Sequence, residues 1–207
     1  MKRTYSMLLL LLACGSTPAQ TNQSDGKVIR VLAELQAEKG DGTLDAQRER
    51  RALQIFLKSV EKQIVSAADA MPADKYGFAP TDGEFKGVRT FGQQVKHLAA
   101  TNHILAAAAL GEEPPTDAGD ELGPEATRTK AEILDYLKGS FAHLGNAIDA
   151  IGNKNMMVKS SPISPLPAGV ATRSALAVEA LIHAFDHYGQ MVEYLRLNGV
   201  VPPASRP

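Results

Sequence analysis

Proline and glycine punctuation divides most of this chain into four long apolar patterns, and that division constrains the fold more than any other feature. In the first, about 44–70, Leu53, Phe56, Leu57, Val60 and Ile64 recur at helical spacing and the run stops before Met71-Pro72. Such spacing predicts a helix with one buried face. The second opens at Thr90 with Gln93 three residues on, a capping-box pattern, and carries Phe91, Val95, Leu98, Asn102 and Leu105 to about residue 110. Gly111 to Gly123-Pro124 breaks the pattern, and a third helix follows, capped by Thr129 and Glu132. It presents Ile133, Leu137, Phe141, Leu144 and Ile148, and Gly152 ends it. Pro162, Pro165 and Pro167 stiffen the connection to a fourth helix at about 172–198, with Gly199 past its end. No strand-like alternation competes, so the expectation is an all-α four-helix bundle. Leu181, Phe185, Val192 and Leu195 make helix four apolar on more than one side, which predicts a well-covered element.

The first residues stand outside this pattern. Lys2 and Arg3 precede an apolar run over 7–13 that is too short to span a bilayer, the composition of an export signal. Thr17-Pro18-Ala19 offers a cleavage site before Gln20, while Leu11-Leu12-Ala13-Cys14 resembles a lipoprotein processing box. The chain then divides into a signal peptide over 1–19, a linker with a short helix near 27–39 within 20–43, the bundle over 44–199 and a tail over 200–207. The expected location is periplasmic or secreted, with membrane anchoring as the alternative if Cys14 carries lipid. Cleavage after Ala19 would remove the single cysteine, and with it disulfides, Cys-ligated zinc and thiol nucleophiles. Removing Lys2 and Arg3 from 22 basic against 23 acidic residues leaves 20 against 23, a formal charge of −3 with no basic cluster. Nucleic acid is therefore not an expected partner.

What chemistry remains must use histidine, carboxylates, hydroxyls and amides. His183 and His187 lie one helical turn apart, roughly 40° from each other on one helix face, a spacing that lets two imidazoles reach one ion. They share that face with Leu176, Ala180, Met191 and Tyr194. A zinc protease would need Glu after the first histidine as general base, and Ala184 stands there instead. A third ligand must come from His97, His103 or His143. His97, at the edge of the apolar face of helix two beside Thr101 and Ile104, is the best placed; structural or solvent-exposed roles suit His103 and His143. Three neutral imidazoles would accept Zn2+, Ni2+ or Fe2+ and leave a position for water, whose pKa such a site can lower to about 7, or for a small-molecule substrate.

Around that set, Glu179 and Asp186 are candidates to orient an imidazole or act as a base, and Gln190 and Thr101 are further supporting candidates. The competing reading makes Glu179, Asp186 and Glu193 a solvated acidic stripe. Met156 and Met157 are expected to cover an end of the core, and Tyr188 and Tyr194 to pack.

Three segments together carry a resemblance: Met71 with Tyr76-Gly-Phe78, then Arg89-Thr-Phe-Gly92 through His97 to Asn102, then His183-Ala-Phe-Asp-His187-Tyr-Gly-Gln190 to Arg196. This pattern resembles the DinB-like family of four-helix metalloproteins. The resemblance implies one divalent cation held by a histidine of the second helix and two of the fourth, which fall on His97, His183 and His187. Relatives of that kind include thiol transferases and a thiol-dependent isomerase that use cytosolic thiols, which an exported protein would not meet. Two function classes follow, a metal-dependent hydrolase or transferase and a metal-stabilised, non-catalytic interaction protein of the cell envelope. Helix faces would also allow a homodimer.

Overall fold

The computed structural model describes residues 42–81, 87–118, 120–152, 157–167 and 169–206. The expected export signal with Cys14, the segment 27–39, Met156 and residues 82–86 between the first two helices lie outside these residues. Among the described residues four α-helices build the bundle: α1 over Gly42–Ala70, α2 over Phe91–Leu110, α3 over Lys130–Asp149 and α4 over Arg173–Leu197. Among the described residues there is no strand, only a bridge between Met157 and Thr172.

The helix starts follow from local chemistry. Thr90 Oγ1 accepts from the Gln93 amide while Gln93 Oε1 accepts from the Thr90 amide, and Thr129 and Glu132 repeat this exchange at α3. Each box satisfies two backbone donors that the first turn leaves without helical partners. Thr172 caps α4 in the simpler way, by accepting from Ala175 N. Gly111, at φ 78°, ends α2 in the left-handed conformation that glycine adopts without steric cost. Helix α3 stops at Asp149 rather than at Gly152, because the chain turns after Ala150 to place Ile151 wholly in the core.

Side-chain contacts give the direction of each helix. Gln54 reaches Gly145 and Asp149 while Lys130 reaches Asp69, so α1 and α3 are antiparallel. Arg173 bonds the Ala109 carbonyl and Tyr194 the Arg89 carbonyl, so α2 and α4 are antiparallel too. Asn102 meets Ser140 and His103 meets His143, with Gly92 beside Ile133, which makes α2 and α3 parallel. Neighbouring helices follow one another around the bundle in the order α1, α3, α2, α4. A parallel neighbour requires the 111–129 connection to travel back along α2, about 30 Å for a helix of that length.

The core is filled by the residues that the periodicity selects: Leu53, Leu57, Val60 and Ile64 from α1, Phe91, Val95, Leu98 and Leu105 from α2, and Ile133, Leu137, Phe141, Leu144 and Ile148 from α3. Burying one such side chain contributes roughly 1.5 to 3 kcal/mol. The start of α2 is pinned to this core by the preceding connection. Tyr76 bonds Ala68 O, the Phe91 amide donates to Phe78 O and the Gly92 amide to Tyr76 O. A Cβ on Gly92 would lie 3.2 Å from Tyr76, so only glycine allows this approach without displacement.

Three expectations need correction. Phe56 does not join the core; it is 60% exposed, beside the equally exposed Ile55. Helix α4 is not covered all round, since Val178, Ile182 and Phe185 are exposed. Each helix of a four-membered ring keeps an outer face, and apolar residues outnumber the places inside. Met157 is 51% exposed and does not close an end of the core.

Candidate metal centre

Helix α2 lies beside α4, and their antiparallel alignment sets His97 opposite the turn that bears His183 and His187. His183 Nε2 is 3.3 Å from His97 Nε2 and 2.9 Å from His187 Nε2. All three residues offer a ligand atom within 4.8 Å of the others, so the histidines are positioned to bind a metal ion. His97 and His187 are buried and His183 is partly exposed, so the cluster reaches the surface along α4.

Burial, above all, lowers the proton affinity of each ring. It takes His183 to about 3 and His187 to about 4, with neighbouring imidazoles and the Arg89 charge acting in the same direction. His97 is lowered as well, although its hydrogen bond to Glu121 pulls the other way. The rings are therefore neutral at pH 7, the state in which imidazole ligates.

Hydrogen bonding sets the tautomers. His97 Nδ1 lies 2.9 Å from the Glu121 carbonyl, which can only accept, so Nδ1 carries the proton and Nε2 offers its lone pair to the cluster. The Glu121 carboxylate is farther from the same nitrogen, at 3.7 Å. Glu121 holds φ at 61°, a left-handed conformation that costs a non-glycine residue of order 1 kcal/mol or more. It belongs to the crossover that returns along α2, where Lys96 fastens the chain by donating to Pro124 O.

With His97 Nε2 fixed as a lone pair, the neutral cluster cannot satisfy itself. If His187 Nε2 donates to His183 Nε2, the His97 and His183 lone pairs face each other at 3.3 Å. If His183 donates to His97 instead, its Nε2 can no longer accept from His187 Nε2. His183 Nδ1 is buried and has no hydrogen-bond partner among the described residues. A divalent cation shared by the three nitrogens would satisfy every lone pair, and the residues present fit that group.

The supporting residues differ in part from the expected ones. Glu179 bonds Ser164 Oγ at 2.6 Å, so it serves the proline-rich connection and not a histidine. Asp186 accepts from Gln190 Nε2 and supports protonation of His183 through its charge alone; the vacant His183 Nδ1 shows that it does not hold that ring. Thr101 Oγ1 is buried without a partner and bonds no histidine. Gln190 does connect to the cluster, through a residue that the sequence did not single out. Its Oε1 accepts from Gln94 Nε2 at 2.6 Å, and that nitrogen lies 2.7 Å from His187 Nδ1. Gln94 stands one turn before His97 on the same face of α2; a polar amide on an otherwise buried stripe was the available signal. Glu121 gave no such signal, because loop positions have no periodicity.

The expected packing role of Tyr194 holds, since its ring contacts Phe78 and Phe91. His103 and His143, expected in structural or solvent-exposed roles, meet through their Nδ1 atoms at 3.0 Å. Glu193 is exposed and pairs with Arg196.

Fold and site together define a four-helix-bundle protein with three histidines, from its second and fourth helices, gathered where a metal could bind. A family model of the DinB superfamily matches residues 57–191, a span that includes all three histidines, and the chain belongs to that superfamily. No curated protein matches the sequence.

Proposed function

We propose that this chain is an exported DinB protein that holds one divalent cation, Zn2+, Ni2+ or Fe2+, through His97, His183 and His187, and acts as a hydrolase or transferase on a small molecule. The observation that carries this reading is the convergence of three neutral imidazole nitrogens at 2.9 and 3.3 Å with one lone pair fixed by Glu121. A bound cation would supply Lewis acidity. The chain's own residues do the rest: Glu121 orients His97, Gln94 and Gln190 hold His187, and the packed bundle excludes water from two of the three rings.

Arg89 suggests the substrate class. Its charge is close enough to all three histidines to oppose protonation, and it opposes a dication for the same reason. Its guanidinium takes part in no ion pair among the described residues. A small substrate bearing a carboxylate or phosphate would offset both positive charges at once.

The test is a turnover screen of metal-loaded protein against small esters, phosphoesters and electrophiles. Expected is an activity abolished by chelation and by His187→Ala, with KM for an anionic substrate raised about tenfold or more by Arg89→Met. A metal-loaded protein that turns over none of them, yet unfolds at higher temperature than the stripped form, would support the non-catalytic envelope role instead.

A further inference from the structure

Two of the five histidines lie outside the cluster described above, and the fold brings them together. We infer that His103 and His143 form a second metal site, a two-imidazole clamp between α2 and α3 that takes a transition-metal dication such as Zn2+ and completes its coordination from solvent. The site stands on its own residues and does not depend on the first.

Geometry is the main argument. The two Nδ1 atoms are 3.0 Å apart, within the range found in the other histidine cluster. Two nitrogens bound to one tetrahedral zinc at about 2.05 Å would be separated by about 3.3 Å, so a small opening of the pair admits the ion. The rings belong to different helices, which are parallel neighbours, and both helices are anchored in the core on either side of the pair. Ile104 and Leu105 follow His103, and Phe141 and Leu144 flank His143, all of them buried. The pair is thus presented by rigid elements and not by flexible side chains on one surface.

Electronic preparation points the same way. His143 Nε2 faces the Glu112 carboxylate at 3.5 Å, so its proton belongs there and its Nδ1 lone pair faces His103. A carboxylate behind a ligating histidine fixes the ring and raises its basicity as a ligand. His103 packs on the Tyr136 ring, with centroids 5.1 Å apart, and its proton affinity is lowered to about 4, chiefly by burial and then by His143. It therefore stays neutral at pH 7. In the present hydrogen bond His103 Nδ1 donates to His143 Nδ1; binding needs only that the His103 proton move to Nε2. The His143 side chain is 19% exposed, which gives water and an ion a way in. Two imidazoles select borderline ions over the hard Mg2+.

The test is calorimetric titration of the full chain with Zn2+, with Mg2+ as the control. Wild type should bind two equivalents, the second more weakly because solvent supplies half its ligands. His103→Gln and His143→Gln should each lose the second equivalent and keep the first, whose retention shows that the bundle is folded. Glu112→Gln removes a carboxylate from the exposed rim and should weaken the second step about tenfold without touching the first. Saturation of wild type at one equivalent overturns the proposal, as does a second equivalent that survives both histidine substitutions. Failure of the triad alone would look different: the tight step would be missing and the weak, His143-dependent step would remain.

Discussion

At the residue scale, the amide of Gln94 determines how His187 can act. Asp186 accepts from Gln190 Nε2, which leaves Gln190 Oε1 to accept from Gln94 Nε2, and Gln94 Nε2 then meets His187 Nδ1 as a donor. That chain places the His187 proton on Nε2. Coordination through Nε2 requires the opposite tautomer, so for His187 to ligate the Gln94 amide must turn its oxygen to Nδ1 and Gln190 must turn with it, to donate its Nε2 to that oxygen. Gln94→Met should lower metal affinity about tenfold, while Gln94→Glu, whose carboxylate can only accept, should match or exceed wild type. Chelator-competition titrations read both variants, and a wild-type affinity for Gln94→Met would remove Gln94 from the site. The histidines were legible in the sequence because helical spacing places side chains on a face. Their partners were less so. Three-residue spacing puts Gln94 on the face of His97 without saying that its amide crosses to α4, and nothing local marks Glu121.

At the element scale, the helix starts were readable because capping is local chemistry, whereas the end of α3 falls at Asp149 and not at Gly152. Thr90 with Gln93 and Thr129 with Glu132 form the boxes that their spacing predicts. Thr129→Ala should cost about 1 kcal/mol in denaturant unfolding; truncating the wholly buried Phe141 to Ala should cost about 3 to 5 kcal/mol. Equal effects would mean that packing and capping do not divide as described. Which faces are covered was less readable, since it depends on the order of helices around the bundle. Periodicity found the inner stripes of α1 and α4, but Phe56, Ile182 and Phe185 are equally apolar and lie outside. The meeting of His103 with His143 was likewise invisible, because it requires knowing that α2 and α3 run parallel.

At the scale of the whole molecule, the histidines link stability to pH. Burial is the first cause of the lowered proton affinity of His97, His103, His183 and His187, with values of about 4 for His103 and His187 and about 3 for His183. Unfolded histidines titrate near 6.5, so below that pH the unfolded chain binds protons that the folded chain does not. Chelator-treated protein should hold its full stability above pH 6.5 and lose it progressively toward pH 4. Denaturant midpoints at pH 7.5 and 5 measure this, and equal midpoints would show that these rings are not held neutral by the fold.

Everything proposed for the site requires that one divalent cation be shared by α2 and α4. Elemental analysis of the purified protein, after dialysis against low-affinity chelator to clear weak sites, tests it beside His97→Ala, His183→Ala and His187→Ala. Wild type should carry about one metal ion per chain, and each variant should lose most of it. Equal metal content in all four proteins, or none in a wild-type protein offered Zn2+, Ni2+ and Fe2+, would contradict it.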